Sequence, residues 1–203
     1  GGLFPTGENQ MNDVEHSKIS PSGFYRVLKC PGSVGETDLA PFQQPSIYAQ
    51  RGTLQHEAVV RRWQGRPVSR LGLDDAEMNN VDDCIDYLAD IVAEKKKLGY
   101  RVEVSLEVRG DLSILGYPDI WGTCDIIVKV CDGDTLIELH IIDWKFGSGV
   151  AVIVEDNPQL LGYLMMALTV PLELFRGKLF MHVVQPPKNY FAKVEVSNLE
   201  LHE

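Results

Sequence analysis

The chain carries 203 residues, 44% hydrophobic and 24% charged, enough to bury an ordinary core without disulfides or a structural metal. With 29 acidic residues against 19 basic, its formal charge of −10 argues against a protein that coats nucleic acid electrostatically. A local basic groove beside carboxylates that hold a cation stays compatible with that balance. A single domain is expected over residues 16–203, with residues 1–15 a disordered or tag-derived N-terminus, because Gly1 to Gln10 shows no periodicity. No basic stretch followed by an apolar run opens the chain, and the longest apolar segment, Leu160 to Phe175, is interrupted by Gly162, Pro171 and Glu173. A cytoplasmic protein without a membrane partner is expected. Cys30, Cys84, Cys124 and Cys131 form no CxxC pair and read as free thiols in a reducing compartment.

Ser20-Pro21-Ser22 reads as a helix start, with serine as cap and proline in the first turn, and Cys30-Pro31-Gly32 stops that helix. Residues 40–45 are loop-like. The segment from Ile47 to Trp63 reads as a helix whose spacing sets Thr53, His56, Val60 and Trp63 on one inner face and Glu57 toward solvent. From Asp74, apolar residues recur at Met78, Val81, Ile85, Leu88 and Val92, and Lys95-Lys96-Lys97 before Gly99 suits a helix C-terminus. The period then shortens to two. Segments 102–108, 120–130 and 136–145 are rich in β-branched residues and predict a three-stranded antiparallel meander, with a turn at Asp132-Gly133-Asp134. Asp156-Asn157-Pro158 caps a further helix to about Leu168, and segments 178–185 and 190–196 predict two closing strands around Pro186-Pro187.

Alternation places Ile137, Leu139, Ile141, Asp143 and Lys145 on one face of their strand, and Ile142 and Trp144 on the other. Asp143 and Lys145 are then roughly 7 Å apart along the strand. They form either a salt-bridged edge or a metal ligand beside a water-activating cation. On the preceding strand, Trp121, Thr123, Asp125, Ile127 and Lys129 share a face, opposite Cys124, Ile126, Val128 and Val130. If the strands pair with Asp125 and Asp143 on one side, the two carboxylates repel and a divalent cation stabilises them; a solvated charged face is the other reading. His56 is a hydrogen-bonded core residue or a ligand. Glu107 is a ligand, directly or through water, or part of an exposed face shared with Glu103. Gln159 and Tyr163, four apart, either hold a phosphate or the lysine, or are a capping amide and a half-buried phenol. Gly147-Ser148-Gly149 reads as a turn, and kinase, hydrolase and zincin signatures are absent.

In order, Gly52-Thr53-Leu54-Gln55-His56, Glu107, Gly122-Thr123-Cys124-Asp125, Ile142-Asp143-Trp144-Lys145 and Gln159-Leu160 with Tyr163 resemble the successive motifs of the PD-(D/E)xK nucleases of the RecB and Cas4 type. Finer wording, His16-Ser17-Lys18 through Cys30-Pro31-Gly32-Ser33, Asp143-Trp144-Lys145-Phe146-Gly147 and Val184-Gln185-Pro186, resembles a phage-associated branch, DUF2800. The resemblance implies an α/β, restriction-endonuclease-like core: a central mixed β-sheet with an antiparallel meander, flanked by helices. It also implies that His56, Asp125, Asp143 and the backbone carbonyl of Trp144 hold Mg²⁺ or Mn²⁺, with Glu107 a further candidate ligand. Lys145 would orient or deprotonate the attacking water, with Gln159 and Tyr163 in support. In several relatives a cysteine at the place of Cys30 joins three later cysteines around an iron–sulfur cluster. This sequence has no cysteine after Cys131, so no such cluster is expected; its segment either lies outside these residues or is lost in this branch.

The expected activity is a metal-dependent exonuclease working on single- or double-stranded DNA ends, in phage recombination or replication and hence in the host cytoplasm. The alternatives are an endonuclease of the same chemistry and a catalytically silent DNA-binding or assembly module. A phage recombination protein or a second copy of the chain is an expected partner.

Overall fold

A reciprocal capping box starts the longest helix. The Asp74 side chain accepts the Glu77 N–H at 2.9 Å while the Glu77 carboxylate accepts the Asp74 N–H, and Asp75–Lys97 follows with Lys95, Lys96 and Lys97 in its last turn. The structure, a computed structural model, describes residues 19–35, 44–168 and 175–197. The expected N-terminal tail, His16-Ser17-Lys18, most of the 40–45 loop and the Pro171 and Glu173 interruptions lie outside the described residues. The α-helices whose bounds lie within the described residues are α1 (Phe24–Lys29), α2 (Ile47–Trp63), α3 (Asp75–Lys97) and α4 (Pro158–Ala167). Before α1, Ser20 caps nothing with its side chain. Its hydroxyl lies 2.9 Å from that of Ser22, and Pro21–Gly23 forms a 3₁₀ turn instead of a first α-turn. Asn157 caps α4 as expected, its Oδ1 accepting the N–H groups of Gln159 and Leu160 at 3.1 and 3.2 Å.

The expected meander is present as β1 (Arg101–Leu112), β2 (Tyr117–Asp132) and β3 (Thr135–Trp144), all antiparallel neighbours. After α4, β4 (Lys178–Gln185) runs parallel to β3, and β5 (Tyr190–Val196) returns antiparallel, giving an open mixed sheet in the order β1-β2-β3-β4-β5. A parallel partner requires a crossover, which α4 supplies. The sheet is buried on both faces. Leu139, Ile141, Met181 and Val183 pack against Leu160 and Leu164 of α4, while Ile126, Val128, Ile142 and Val184 pack against Ala58 and Val59 of α2 and Val81, Cys84 and Leu88 of α3. All four cysteines are free, with Cys30 exposed and the other three buried. Among the described residues, no helix is long and apolar enough to cross a membrane.

Three expected faces are corrected. On α2 the buried residues are Gln55, Ala58 and Val59, so Thr53 lies exposed and His56 sits at the rim of the inner face. Apolar content misled because the polar Gln55 turns inward, where it accepts a hydrogen bond from Asn80 of α3 at 3.1 Å. On β3, Val130 faces Glu138 and Cys131 faces Leu136, leaving Ile137 as an unpaired bulge. An extra residue inverts the alternation, and Ile137 packs on the α2–α3 side instead of beside Leu139. The third correction, on β2, belongs to the site.

A buried polar chain ties α3 to the sheet. Lys95 holds Glu138 at 3.0 Å, Glu138 lies 3.0 Å from His140 Nε2, His140 Nδ1 lies 3.0 Å from His182 Nε2, and His182 Nδ1 lies 2.9 Å from the Tyr87 hydroxyl. An ionised carboxylate only accepts, so each imidazole donates from Nε2 and accepts at Nδ1, and Tyr87 donates at the far end. Burial pushes His140 down to about 4; Glu138 opposes this, while Lys95 and Lys193 add to it. His140 therefore folds neutral, and the stability it contributes is complete above pH 6.5, the ordinary value, and is lost as pH falls toward 4. Urea midpoints at pH 7 and pH 4.5 should fall more steeply for the parent protein than for His140→Gln; parallel losses would contradict this account.

Candidate metal-binding and catalytic centre

The sheet splits at one end, and the predicted residues gather in the opening. Backbone pairing between β2 and β3 ends at Ile126 and Ile142, while β2 continues beside β1 past Cys124 and Gly122 to Tyr117, and β3 stays with β4 to Trp144 and Val184. Lys145 extends that second pairing by donating its N–H to the Val184 carbonyl at 2.9 Å. The N–H of Trp144, which has lost its β2 partner, donates to Asp125 Oδ2 at 2.8 Å. A buried N–H requires an acceptor, so Asp125 closes the split that its own strand opens.

Side-chain phase inverts at the same level. Leu106 and Ile126 pack on the α2–α3 side, yet Val108 and Cys124, two residues along, pack on the α4 side. Between them Glu107 has φ 49°, an uncommon backbone state for a residue other than glycine. This local twist overturns the simple alternation expected for β2, since Cys124 shares the α4 side with Ile127. Asp125 and Asp143 consequently meet through the split and not as neighbours on one paired face. Asp125 Oδ1 is 3.6 Å from His56 Nδ1, while Asp143 is held by α4 through Gln159.

His56, Glu107 and Asp125 each bring a ligand atom within 4.8 Å of the others. The His56–Asp125 separation exceeds hydrogen-bond length and suits two atoms that share a cation. Burial, reinforced by Lys145, pushes His56 down to about 4, so a lone pair is free at neutral pH. The rings of Phe146 and His56 pack in a T-shaped arrangement, with centroids 5.0 Å apart at 89°. Glu107 joins this group while lying, as the alternation predicts, on the same exposed side as Glu103, which pairs with Arg101. Burial raises the Glu107 carboxyl above its ordinary value.

Asp143 lies outside that trio, beside it. Its Oδ2 is 2.8 Å from Lys145 Nζ, and its Oδ1 accepts from Gln159 Nε2 at 3.0 Å. Lys145 Nζ also donates to Gln159 Oε1 at 3.2 Å, and Gln159 Nε2 reaches the Tyr163 hydroxyl at 3.4 Å. Gln159 and Tyr163 are thus joined to the lysine and the acid. Of Trp144, the residue from which a carbonyl ligand is expected, the N–H is committed to Asp125. Burial pushes the Asp125 carboxyl well above its ordinary value, and the Asp143 carboxylate adds to it, while the Trp144 N–H pulls the other way. Asp143 is also raised by burial, against the pull of Lys145. Two desolvated carboxyls that repel, a neutral imidazole and Glu107 make a donor set that fits a divalent cation.

Two contributors escaped the sequence reading. Phe146 touches His56, and its signal lay only in its place after Lys145. Glycines seat the N-terminal segment against the site, for a Cβ on Gly122 would lie 2.8 Å from Pro21 Cδ and one on Gly162 2.7 Å from Phe24 Cε2. Glu57, by contrast, is solvent-facing as expected and pairs with Arg61 at 2.6 Å. Gly147, Ser148 and Gly149 are the exposed bend predicted, and with Ile47, Tyr48 and Phe146 they line an open cleft of roughly 670 Å³. A family model described as "Protein of unknown function (DUF2800)" matches residues 16–203.

Proposed function

Because the chain belongs to the DUF2800 family, whose function is unknown, its chemistry has to come from its own side chains, and we propose a metal-dependent DNA nuclease. The observation that carries this reading is the meeting of Asp125, Asp143 and Lys145 with His56 and Glu107 where β2 and β3 part. The mixed sheet with its meander supports the restriction-endonuclease-like core that the ordered motifs imply. Asp125, His56 and Glu107, with Asp143 and the Trp144 carbonyl, would hold Mg²⁺ or Mn²⁺; the nitrogen donor favours Mn²⁺. When bound, the cation supplies Lewis-acid polarisation of the scissile phosphate and a more acidic water.

The chain's own groups account for the remaining steps. Lys145 has three N–H donors, and Asp143 and Gln159 use two. The third points the attacking water at phosphorus or meets a phosphate oxygen. Gln159 holds both Asp143 and Lys145, and Tyr163 limits the swing of that amide. Phosphodiester hydrolysis at DNA ends is the activity this arrangement serves best. The charge of −10 favours a silent scaffold instead, but a scaffold has no need of a lysine paired with a buried acid beside a second one.

Purified protein with Mg²⁺ or Mn²⁺ should shorten linear DNA labelled at either end, and the label released first reports polarity. Circular single strands should persist. Their cleavage would assign an endonuclease, and intact linear DNA in every cation would contradict the proposal.

A further inference from the structure

The loop between β3 and α4 runs from Lys145 to Asn157 and carries Phe146, whose ring borders His56. One buried side chain holds its first half. Gln185, at the end of β4 and 2% exposed, donates from Nε2 to the carbonyls of Gly147 at 2.6 Å and Val150 at 3.3 Å, and its Oε1 accepts the Val152 N–H at 3.1 Å. All the polar capacity of this amide faces one loop. The preceding residue, Val184, binds the Lys145 N–H, so β4 fixes the loop at its root and again further along.

We infer that Gln185 is a positioning residue for the cation centre, acting through Gly147 and Phe146 on the orientation of His56. The contacts form a continuous path: Gln185 to the Gly147 carbonyl, Phe146 next in sequence, the Phe146 ring T-shaped against the imidazole at 5.0 Å, and His56 Nδ1 facing Asp125 at 3.6 Å. Gly147 and Gly149 favour no single conformation by themselves, so the loop's shape comes from what grips it. An aliphatic residue at this buried position would take away the partner of three backbone groups of the loop, and Gln185 supplies all three. Supporting groups of this kind typically change metal affinity about tenfold or more. The inference rests on the cation reading above.

The test uses the full chain and two readouts. Calorimetric titration with Mn²⁺ compares the parent with Gln185→Met, which keeps the side-chain length without the hydrogen bonds, with Phe146→Ala, and with the double variant. Each single variant should bind Mn²⁺ about tenfold more weakly, and the double variant no more weakly than the worse single one, because both act on the same path. Amide hydrogen exchange at Val152 should accelerate in Gln185→Met. Should that variant not fold, Gln185→Glu, which loses both donors but keeps the acceptor for the Val152 N–H, serves in its place with Mn²⁺ affinity alone as its readout. Unchanged affinity, strictly additive losses, or unchanged Val152 exchange would overturn the positioning role. A parent protein that binds no Mn²⁺ would overturn the cation reading itself, which the exchange data separate from the grip on the loop.

Discussion

Replacing Asp125 with asparagine should stabilise the cation-free protein at pH 8. Burial and the Asp143 carboxylate hold the Asp125 carboxyl well above its ordinary range, so at pH 8, where the unfolded chain is ionised, folding must bury that charge or take up a proton, and either costs stability. The sign follows from linkage: a raised folded value contributes stability below the unfolded value and loses it as pH rises through the folded one. Asparagine removes the charge and keeps an oxygen for the Trp144 N–H now donated to Asp125. A gain of about 1–2 kcal/mol is expected, or about 2–8 °C in Tm for a chain of this size. With Mn²⁺ the order should reverse, since the parent gains ligand-linked stability and the variant does not. Thermal scans in EDTA and in Mn²⁺ check both halves. A variant less stable than the parent in EDTA would mean that Asp125 is a structural acid and not a ligand held at a cost.

Lys145→Met should separate chemistry from cation binding. Methionine fills the volume of the aliphatic stem but offers no N–H, so the contacts with Asp143 and Gln159 are lost. Cleavage should fall by about 10³-fold, within the range of removing one preorganised charged donor. Mn²⁺ should still bind, because the lysine is no ligand and its charge opposes a cation. A second readout is independent of activity. Lys145 helps hold His56 down at about 4, so the imidazole midpoint followed by NMR should rise toward its ordinary value while burial keeps it below. An unchanged His56 titration would place Lys145 too far from the ligand cluster to serve it.

Much of the fold is legible along the chain because local chemistry and tertiary demand agree there. Asp74 and Glu77 announce α3, Asn157-Pro158 announces α4, and the Gly133 turn, with φ 57°, joins β2 to β3. The gathering of Asp125, Asp143, Lys145, Gln159 and Tyr163 also follows from motif order. What the chain conceals is phase. A period of two describes a regular strand, and β1 and β2 abandon it at Glu107 and Asp125, where the backbone turns over to deliver ligands. The bulge at Ile137 and the inward Gln55 are the same kind of failure, since each is decided by a partner distant in sequence. Glu107 illustrates the consequence: it is exposed as its alternation with Glu103 suggests, but only its positive φ shows how it also comes near His56. Gln185 was legible only as part of a phrase, because what it binds lies 33 to 38 residues away.

The central claim is that this centre cuts DNA with a bound cation, and the most direct measurement is cleavage of end-labelled linear DNA in Mn²⁺ by the parent and by Asp143→Ala, purified side by side. Asp143 holds Lys145 and Gln159 beside the ligand trio, so its loss frees the lysine and removes a candidate ligand while the hydrophobic packing around β3 persists. The account predicts cation-dependent cleavage by the parent, abolished by EDTA, and none above background for a variant with native circular dichroism. Cleavage by the folded variant at a rate near that of the parent would contradict it.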